Sequence, residues 1–204
     1  MQDVDDLNIF WAKSVDEGES YLPLLQHAQD VTDIIEHVAH QLVAPGRLDR
    51  LQNNLGGMEL SKVLKAAAWF HDCGKISLFF QPKVCVLYGR VAQHGYRGSV
   101  TPKQMSANPH SVVGAHAVAA WLRARAVNAN RRAMRRAIRG WKYVIGGHHG
   151  VFPVLEESAA FQLEPLNWQE ARERFLDYGM ELIGLDGDDI TGLATLPWDA
   201  ADQA

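Results

Sequence analysis

The chain has 204 residues, of which 47% are hydrophobic, and a formal net charge of −4 at pH 7. These values fit one globular domain over residues 1–204 and exclude a uniformly basic nucleic-acid binder. No segment approaches the roughly 18 consecutive apolar residues of a membrane span, and the acidic N-terminus excludes a secretory signal. We therefore expect a cytoplasmic protein without a membrane partner, whose two cysteines, Cys73 and Cys85, are reduced thiols.

Apolar residues recur at three- and four-residue spacing along several segments, a period that places them on one face of an α-helix. The first predicted helix carries such a stripe from Leu24 to Val38, and the second ends at Gly74, a residue suited to a helix C-terminus. A third is predicted to begin with Asn108 as its N-cap, which places His110 in its first turn. Strand patterns are weak, so we expect an all-α helical bundle.

The fourth predicted helix is basic on one face and apolar on the other. Eight of the 20 lysines and arginines fall between Arg123 and Lys142, a segment without an acidic residue. Basic helix faces are often only solvated, but this helix runs directly into GGHHG at 146–150 and would lie beside a site built on those histidines. We expect it to contact nucleic acid through Arg131, Arg132, Arg135, Arg136 and Arg139.

The rest of the chain contains two further helices and two long loops. One helix covers about Trp168 to Ile183, and a short last helix begins at Ile190 after the loop GLDGDD. Residues 45–57 and 86–107 contain glycines and are predicted to be long loops, which are often mobile or face a substrate.

Five of the nine histidines fall in contexts that favour metal binding: LLQH, HDCGK, NPH and GGHHG. Neutral imidazole combined with carboxylate suits Mn, Fe, Co, Ni or Zn, whereas an all-oxygen site would suit Mg or Ca. In HDCGK the side chains of His71 and Asp72 diverge by about 100° on a helix. They share an ion only beside the last turn, and Asp72 can then bridge to a second ion. Two ions roughly 3.5–4 Å apart clamp a phosphoryl group and activate a water, which predicts phosphoester hydrolysis.

Each motif also has a structural interpretation. A lone His-Asp pair is more often a helix terminus with a capping aspartate. In HDCGK, however, Gly74 permits a tight turn, and Lys75 is then expected to point back toward the ligand bound by the metal ions. Two adjacent buried imidazoles, as in GGHHG, would need partners for both rings. We expect packing or surface roles for the other histidines, which are His37, His40, His94 and His116.

The order FWAKS, LLQHAQDV, HDCGKISLFFQPK, PHSVVGAHA and GGHHG resembles the HD nuclease domain of the CRISPR type I effector nuclease-helicase. The resemblance extends from about Phe10 to the end, and its most specific parts are HDxGK followed by Phe80-Gln81, and GHHG. It implies a single HD-domain helical bundle with long loops that degrades single-stranded DNA after a CRISPR surveillance complex has opened the duplex. It implies one or two divalent transition-metal ions, with Mn, Fe, Co or Ni ahead of Mg or Zn.

The resemblance also implies roles for individual residues. Asp72 would bridge two ions, and Lys75 would stabilise charge at the scissile phosphate. The first ion would be bound by His27, His71 and Asp72, and the second by Asp72, His110, His148 and His149.

The segment near the C-terminus departs from the family pattern. The family's last ligand is an aspartate in a Gly-Leu-x-x-x-Ala-Asp-Trp context, whereas this chain reads GLATLPWDAAD and places Trp198 on that position. Four possibilities stay open: Asp199 binds after a one-residue shift, Asp202 or the Asp188-Asp189 pair substitutes, or the ligand is missing. The family also continues into a helicase, so a separate subunit, an excised domain and a degenerate relative all stay open.

Two other functions are compatible with the same residues. One is an HD phosphohydrolase of nucleotides or cyclic nucleotides, which would need a closed pocket with base-specific contacts. The other is a degenerate, non-catalytic HD-fold module that binds DNA or a CRISPR complex. Whether a nuclease would act as an endonuclease or an exonuclease also stays open.

Overall fold

A computed structural model describes residues 5–150 and 164–198. Apart from one antiparallel hairpin, these residues form helices and short connections, which confirms the all-α prediction. None of the described helices is long and apolar enough to cross a membrane. The expected ligand Asp199 and the alternative Asp202 lie outside the described residues. The elements are β1 (Trp11–Val15), β2 (Ser20–Pro23), α1 (Leu24–Leu42), α2 (Pro45–Asn53), α3 (Leu60–Phe70), α4 (Cys85–Gln93), α5 (Pro102–Ala107), α6 (His110–Arg125), α7 (Arg131–Gly146), α8 (Leu166–Ile183) and α9 (Gly187–Leu193).

Two antiparallel helix pairs form the centre of the fold. In the first pair, Lys65 of α3 contacts Glu36 of α1, while Asp72, just past the end of α3, contacts His27 in the first turn of α1. In the second pair, Lys142 of α7 lies 3.3 Å from His116 of α6. At one end of this second pair, His149, which follows α7, lies beside His110, the first residue of α6. Two helix starts and two helix ends therefore meet at one place.

Aromatic side chains join the two pairs into a shared core. The ring of Phe70 on α3 lies 5.8 Å from Trp121 on α6 and 5.3 Å from Trp141 on α7, and all three residues are buried. The fifth predicted helix, α8, is attached to α3, where Trp69 Nε1 donates to the carbonyl of Phe175 at 2.9 Å. Because these aromatic side chains are buried and in contact with one another, the helix ends have little room to shift relative to one another.

The prediction of long loops at 45–57 and 86–107 is wrong, because these segments contain α2, α4 and α5. Helix α2 is short, mostly polar and buries only Leu48, so the three leucines at 48, 51 and 55, although at helical spacing, are a weak signal in the sequence. Helix α5 did carry a readable signal: Thr101 caps it, Pro102 occupies its first position and Gln104 completes a capping box. The β1–β2 hairpin was also missed.

Several predicted helix ends shift by a few residues. Helix α6 has Pro109 rather than Asn108 as its N-cap, because Asn108 donates to the carbonyl of Gln104 and closes α5 instead. Helix α3 ends at Phe70, and α9 begins at Gly187 rather than Ile190, since Asp186 caps its first turn.

Gly74 lies in a short 3₁₀ turn, Cys73–Lys75, and its role is close packing rather than helix termination. A Cβ atom at this position would lie 2.0 Å from the carbonyl oxygen of His110 and 2.4 Å from the amide nitrogen of Gly114. Both atoms are backbone atoms of α6, so neither can rotate away. The glycine in HDCGK therefore lets the turn after α3 lie directly against the first turns of α6.

We predict that Gly74→Ala destabilises the protein by about 1–3 kcal/mol or more, because the methyl group forces two backbones apart. Urea unfolding followed by circular dichroism measures the change. Gly89→Ala on α4 is the matched control, since nothing lies within 4 Å of a Cβ there. This control is expected to be stabilising by about 0.5–1 kcal/mol, the helix preference for alanine. Equal effects at the two positions would contradict the close approach at Gly74.

Candidate metal centre

The carboxylate of Asp72 lies at the point where the four helix ends meet, and the residue is only 3% exposed. Its oxygen Oδ2 faces His27 Nε2 at 3.1 Å and His71 Nε2 at 3.2 Å. Its oxygen Oδ1 faces His110 Nε2 at 3.1 Å and His148 Nε2 at 3.6 Å. Each carboxylate oxygen thus belongs to its own pair of imidazoles.

His149 extends the group around Oδ1. Its Nε2 atom lies 2.9 Å from Nε2 of His110, and the residue is exposed at the edge of the site. Among the described residues, two sets of potential metal ligands have their ligand atoms within 4.8 Å of one another. One set is His27, His71 and Asp72, and the other is His110, His148 and His149.

Hydrogen bonds to backbone carbonyls define which ring nitrogens carry protons on two of these histidines. His71 Nδ1 lies 2.5 Å from the carbonyl of Ala68, and His148 Nδ1 lies 2.6 Å from the carbonyl of Ile145. A carbonyl only accepts, so both Nδ1 atoms must donate. In the neutral rings Nε2 then presents a lone pair toward Asp72, which is the arrangement that second-shell carbonyls impose on metal-binding histidines.

Two buried polar atoms of this cluster that lack hydrogen-bond partners indicate whether a metal ion fits it. Asp72 Oδ1 and His148 Nε2 are both buried, and neither has a hydrogen bond of acceptable geometry to the described residues. A lone pair facing a carboxylate is repulsive unless a cation lies between them. Ligands about 2.1 Å from one ion are separated by about 3.0–3.4 Å; the distances from Asp72 to His27, His71 and His110 lie in this range, and that to His148, 3.6 Å, is slightly longer. The residues therefore fit a divalent ion on each side of the carboxylate.

The environment favours the protonation states that a metal ion needs. Burial raises the pKa of Asp72, but without a metal ion hydrogen bonds from the imidazoles of His110, His148, His27 and His71 outweigh burial and hold this pKa well below its usual range; a metal ion would take the place of the donating protons. Burial lowers the pKa of His110, and desolvation together with the neighbouring imidazoles lowers that of His149. An ionised carboxylate and neutral imidazoles are the forms that bind transition metals.

Lys75 contacts the same carboxylate. Its ammonium donates to Asp72 Oδ2 at 2.7 Å and to the carbonyl of Ala12, on β1, at 3.0 Å. The residue is buried, and two of its three N–H groups are used in these contacts. Lys75 therefore orients Asp72 in addition to placing a positive charge in the site.

Gln81 explains the second residue of the Phe80-Gln81 motif. Its side chain is fully buried, and Nε2 donates to the carbonyls of Lys75 at 2.8 Å and Trp11 at 3.1 Å. The amide of Trp11 donates back to Oε1 at 3.4 Å. The side chain thereby joins the β1–β2 hairpin to the turn that carries Lys75, and this contact keeps the carbonyl of Ala12 within reach of the lysine.

A buried ion pair holds the residues that follow this turn. Arg172 of α8 contacts Glu164 at 2.6 Å and donates to the carbonyl of Ile76 at 2.5 Å. Glu164 in turn accepts from the amide of Leu78 at 2.7 Å. Both charged side chains are at most 2% exposed, so their charges are matched inside the protein. This pair clamps the segment immediately after HDCGK to α8.

Sequence reasoning missed Ala12, Gln81, Glu164 and Arg172 as contributors to the site. The sequence does point to Gln81, because this polar residue stands in one of the most specific motifs of the resemblance and has no chemical role assigned to it there. No such feature points to Glu164 and Arg172, since their spacing matches no motif and charged residues are usually exposed.

Other expected residues lie away from the cluster. The carboxylate of Asp189 contacts Lys62 at 2.8 Å, and Lys62 precedes His71 by nine residues, about 13 Å along α3. Asp189 is thus engaged with Lys62, and neither Asp188 nor Asp189 belongs to the two ligand sets found among the described residues. Trp198 packs against α7, with its ring 5.4 Å from Trp141.

The arginines of the fourth predicted helix lie as expected on the outer face of α7. Arg131, Arg132, Arg135, Arg136 and Arg139 are exposed, while Ala137, Ile138, Trp141 and Ile145 are buried. His37, His40 and His94 are exposed, and His116 lies beside Lys142 outside the ligand sets.

Comparison with known protein families finds a match to the family described as "Cas3, HD domain" over residues 11–203. No significant match is found among curated proteins or among solved structures. The matched range covers nearly the whole chain and confirms the resemblance that the order of motifs predicted.

We predict that Asp72→Asn abolishes binding of Mn or Ni at both positions, because one ion then faces an amide NH2 group and the other keeps only a neutral amide oxygen in place of a charged carboxylate. His27→Ala is expected to remove one ion at most and to leave the other. Titration calorimetry and elemental analysis of the purified proteins measure the stoichiometry.

The exposed residue His94 supplies the control, and His94→Ala should bind as the wild type does. Circular dichroism reports whether each variant is folded. A folded Asp72→Asn variant with wild-type metal content would contradict the shared carboxylate.

Proposed function

This chain belongs to the Cas3 HD-domain family, which identifies it as a CRISPR-associated nuclease domain, and on that premise we propose its substrate and mechanism. Residues 1–204 would form one HD domain. This domain would be a metal-dependent nuclease that hydrolyses phosphodiester bonds of single-stranded DNA. The observation that carries this proposal is the buried carboxylate of Asp72, with a separate group of imidazoles on each of its two oxygens.

The proposed ligands follow this division. His27, His71 and Asp72 would hold one ion, and Asp72, His110, His148 and His149 the other, with Asp199 as a further candidate for the first. The bound ions would supply Lewis acidity and a water of lowered pKa. The residues of the chain position that chemistry: Lys75 orients Asp72 and contributes positive charge near the phosphate. The donor set favours Mn, Fe, Co or Ni over Mg, and the family resemblance ranks these four ahead of Zn.

Two features support a polynucleotide over a free nucleotide as substrate. His149, a proposed ligand, is exposed, so one side of the site is open to a chain that continues in both directions. Helix α7 ends three residues before His149, and its last arginine, Arg139, lies about 10 Å along the helix from that end, so the row of positive charge leads toward the site. Such a row attracts a phosphate backbone by counterion release without selecting a base. A helicase and a CRISPR surveillance complex are the proposed partners.

Incubation of the purified protein with single-stranded circular DNA and Mn, Co or Ni tests the proposal directly. We expect cleavage with at least one metal, none in EDTA and none by Asp72→Asn. Double-stranded circles, mononucleotides and cyclic nucleotides are assayed in parallel. Rapid turnover of the small nucleotides alone would favour the phosphohydrolase alternative. Absence of any cleavage by protein with confirmed metal content would favour the non-catalytic one.

We further predict that reversing three arginines of α7, as Arg131→Glu, Arg135→Glu and Arg139→Glu together, weakens binding of single-stranded oligonucleotides. Each lost phosphate contact should reduce the slope of log K against log salt by about 0.7. Fluorescence anisotropy over a salt series measures both effects.

The exposed Arg47 of α2 serves as the control, and Arg47→Glu is expected to leave the slope unchanged. Unchanged binding by the triple variant would place the nucleic-acid path elsewhere on the protein.

A further inference from the structure

The ring of Phe80, the first residue of the Phe80-Gln81 motif, lies beside the metal centre and near two lysines, of which Lys75 itself contacts Asp72. It is 5.3 Å from the ring of His110 and is itself only 7% exposed. The ammonium of Lys75 lies 5.4 Å from the ring centroid, and that of Lys83 lies 4.9 Å from it. Cations within about 6 Å of an aromatic face are held there by the ring quadrupole. The Lys83 side chain is therefore held close to the centre.

The two lysines have different partners. Lys75 is engaged by Asp72 and the carbonyl of Ala12. Within residues 5–150 and 164–198, the lysines that form ion pairs with carboxylates are Lys62, Lys65 and Lys75. Lys83 thus has no carboxylate within 4 Å in that part of the chain, although it is exposed on one side and accessible to a ligand.

Two ammonium groups on one ring repel each other, and an anion near them would relieve that repulsion. Desolvation, and then the charge of Lys75, lower the pKa of Lys83, which is the response expected of a cation without a counter-ion. The cation–π contact with Phe80 offsets part of this cost. A conformation that keeps a positive charge in an unfavourable place, next to a candidate active site, is typical of a binding residue.

We propose that Lys83 binds a backbone phosphate of the DNA strand one or two nucleotides from the scissile bond. One aromatic ring separates its ammonium from His110. A strand advances about 3.4 Å per nucleotide along a duplex axis, and further when it is extended, so a neighbouring phosphate can reach it. Together with the arginines of α7, Lys83 would hold the strand at a second point beside the metal centre. This inference rests on the proposed function.

The test compares Lys83→Gln, which removes the charge, with Lys83→Arg, which keeps it. The control is Lys62→Gln, about 13 Å along α3 from the metal centre. Binding is measured with a nuclease-resistant phosphorothioate oligonucleotide over a salt series, and cleavage with an unmodified one. For Lys83→Gln we expect about fivefold weaker binding at 0.1 M salt and a slope reduced by about 0.7. The KM should rise, while kcat and metal content stay unchanged.

Lys83→Arg and Lys62→Gln should behave as the wild type does. Wild-type KM and slope in Lys83→Gln would overturn the inference while the nuclease proposal stands. Loss of metal or of folding in Lys83→Gln would also overturn it, because Lys83 would then be a structural residue. A wild-type protein that neither binds nor cleaves single-stranded DNA would contradict the proposed function and this inference with it.

Discussion

One buried carboxylate is shared by imidazoles from four helix ends, and its burial is possible only because those ends meet around it. Ionised groups in a protein interior lose several kcal/mol of hydration each, so Asp72 requires positive or cation-binding partners on both oxygens. His27 comes from the start of α1, His110 from the start of α6 and His148 from the turn after α7. Each partner belongs to a different element, so the two antiparallel helix pairs must dock before the site exists.

The turn that carries Asp72 is held on three sides by contacts outside the ligand set. Gly74 brings it against the backbone of α6, Gln81 joins it to the β1–β2 hairpin, and Arg172 attaches the following residues to α8 through Glu164. Such constraints matter because metal and catalytic groups need positions accurate to about 0.5 Å. The specific sequence HDCGK followed by Phe80-Gln81 thus reflects packing and hydrogen bonding as much as chemistry.

Apolar periodicity predicted the helical fold and the order of motifs the family, and the structure brings the five predicted histidine ligands together with Asp72, whereas Asp199 lies outside the described residues. Histidines and an aspartate in such contexts can be recognised in a sequence because imidazole and carboxylate groups are the side chains that bind transition metals. The Arg172–Glu164 pair was not predictable, since only tertiary contacts show that these charges are buried. Helix α2 is difficult to predict because it is short, mostly polar and buries only Leu48, and the hairpin is difficult to predict because its strands are four or five residues long.

Anomalous diffraction from crystals grown with Mn tests the shared carboxylate most directly. Two peaks should appear, one about 2.2 Å from Asp72 Oδ2 beside His27 and His71, the other about 2.2 Å from Oδ1 beside His110 and His148. A peak that binds both oxygens at once, or peaks that avoid Asp72 altogether, would contradict the division of the carboxylate between two metal positions.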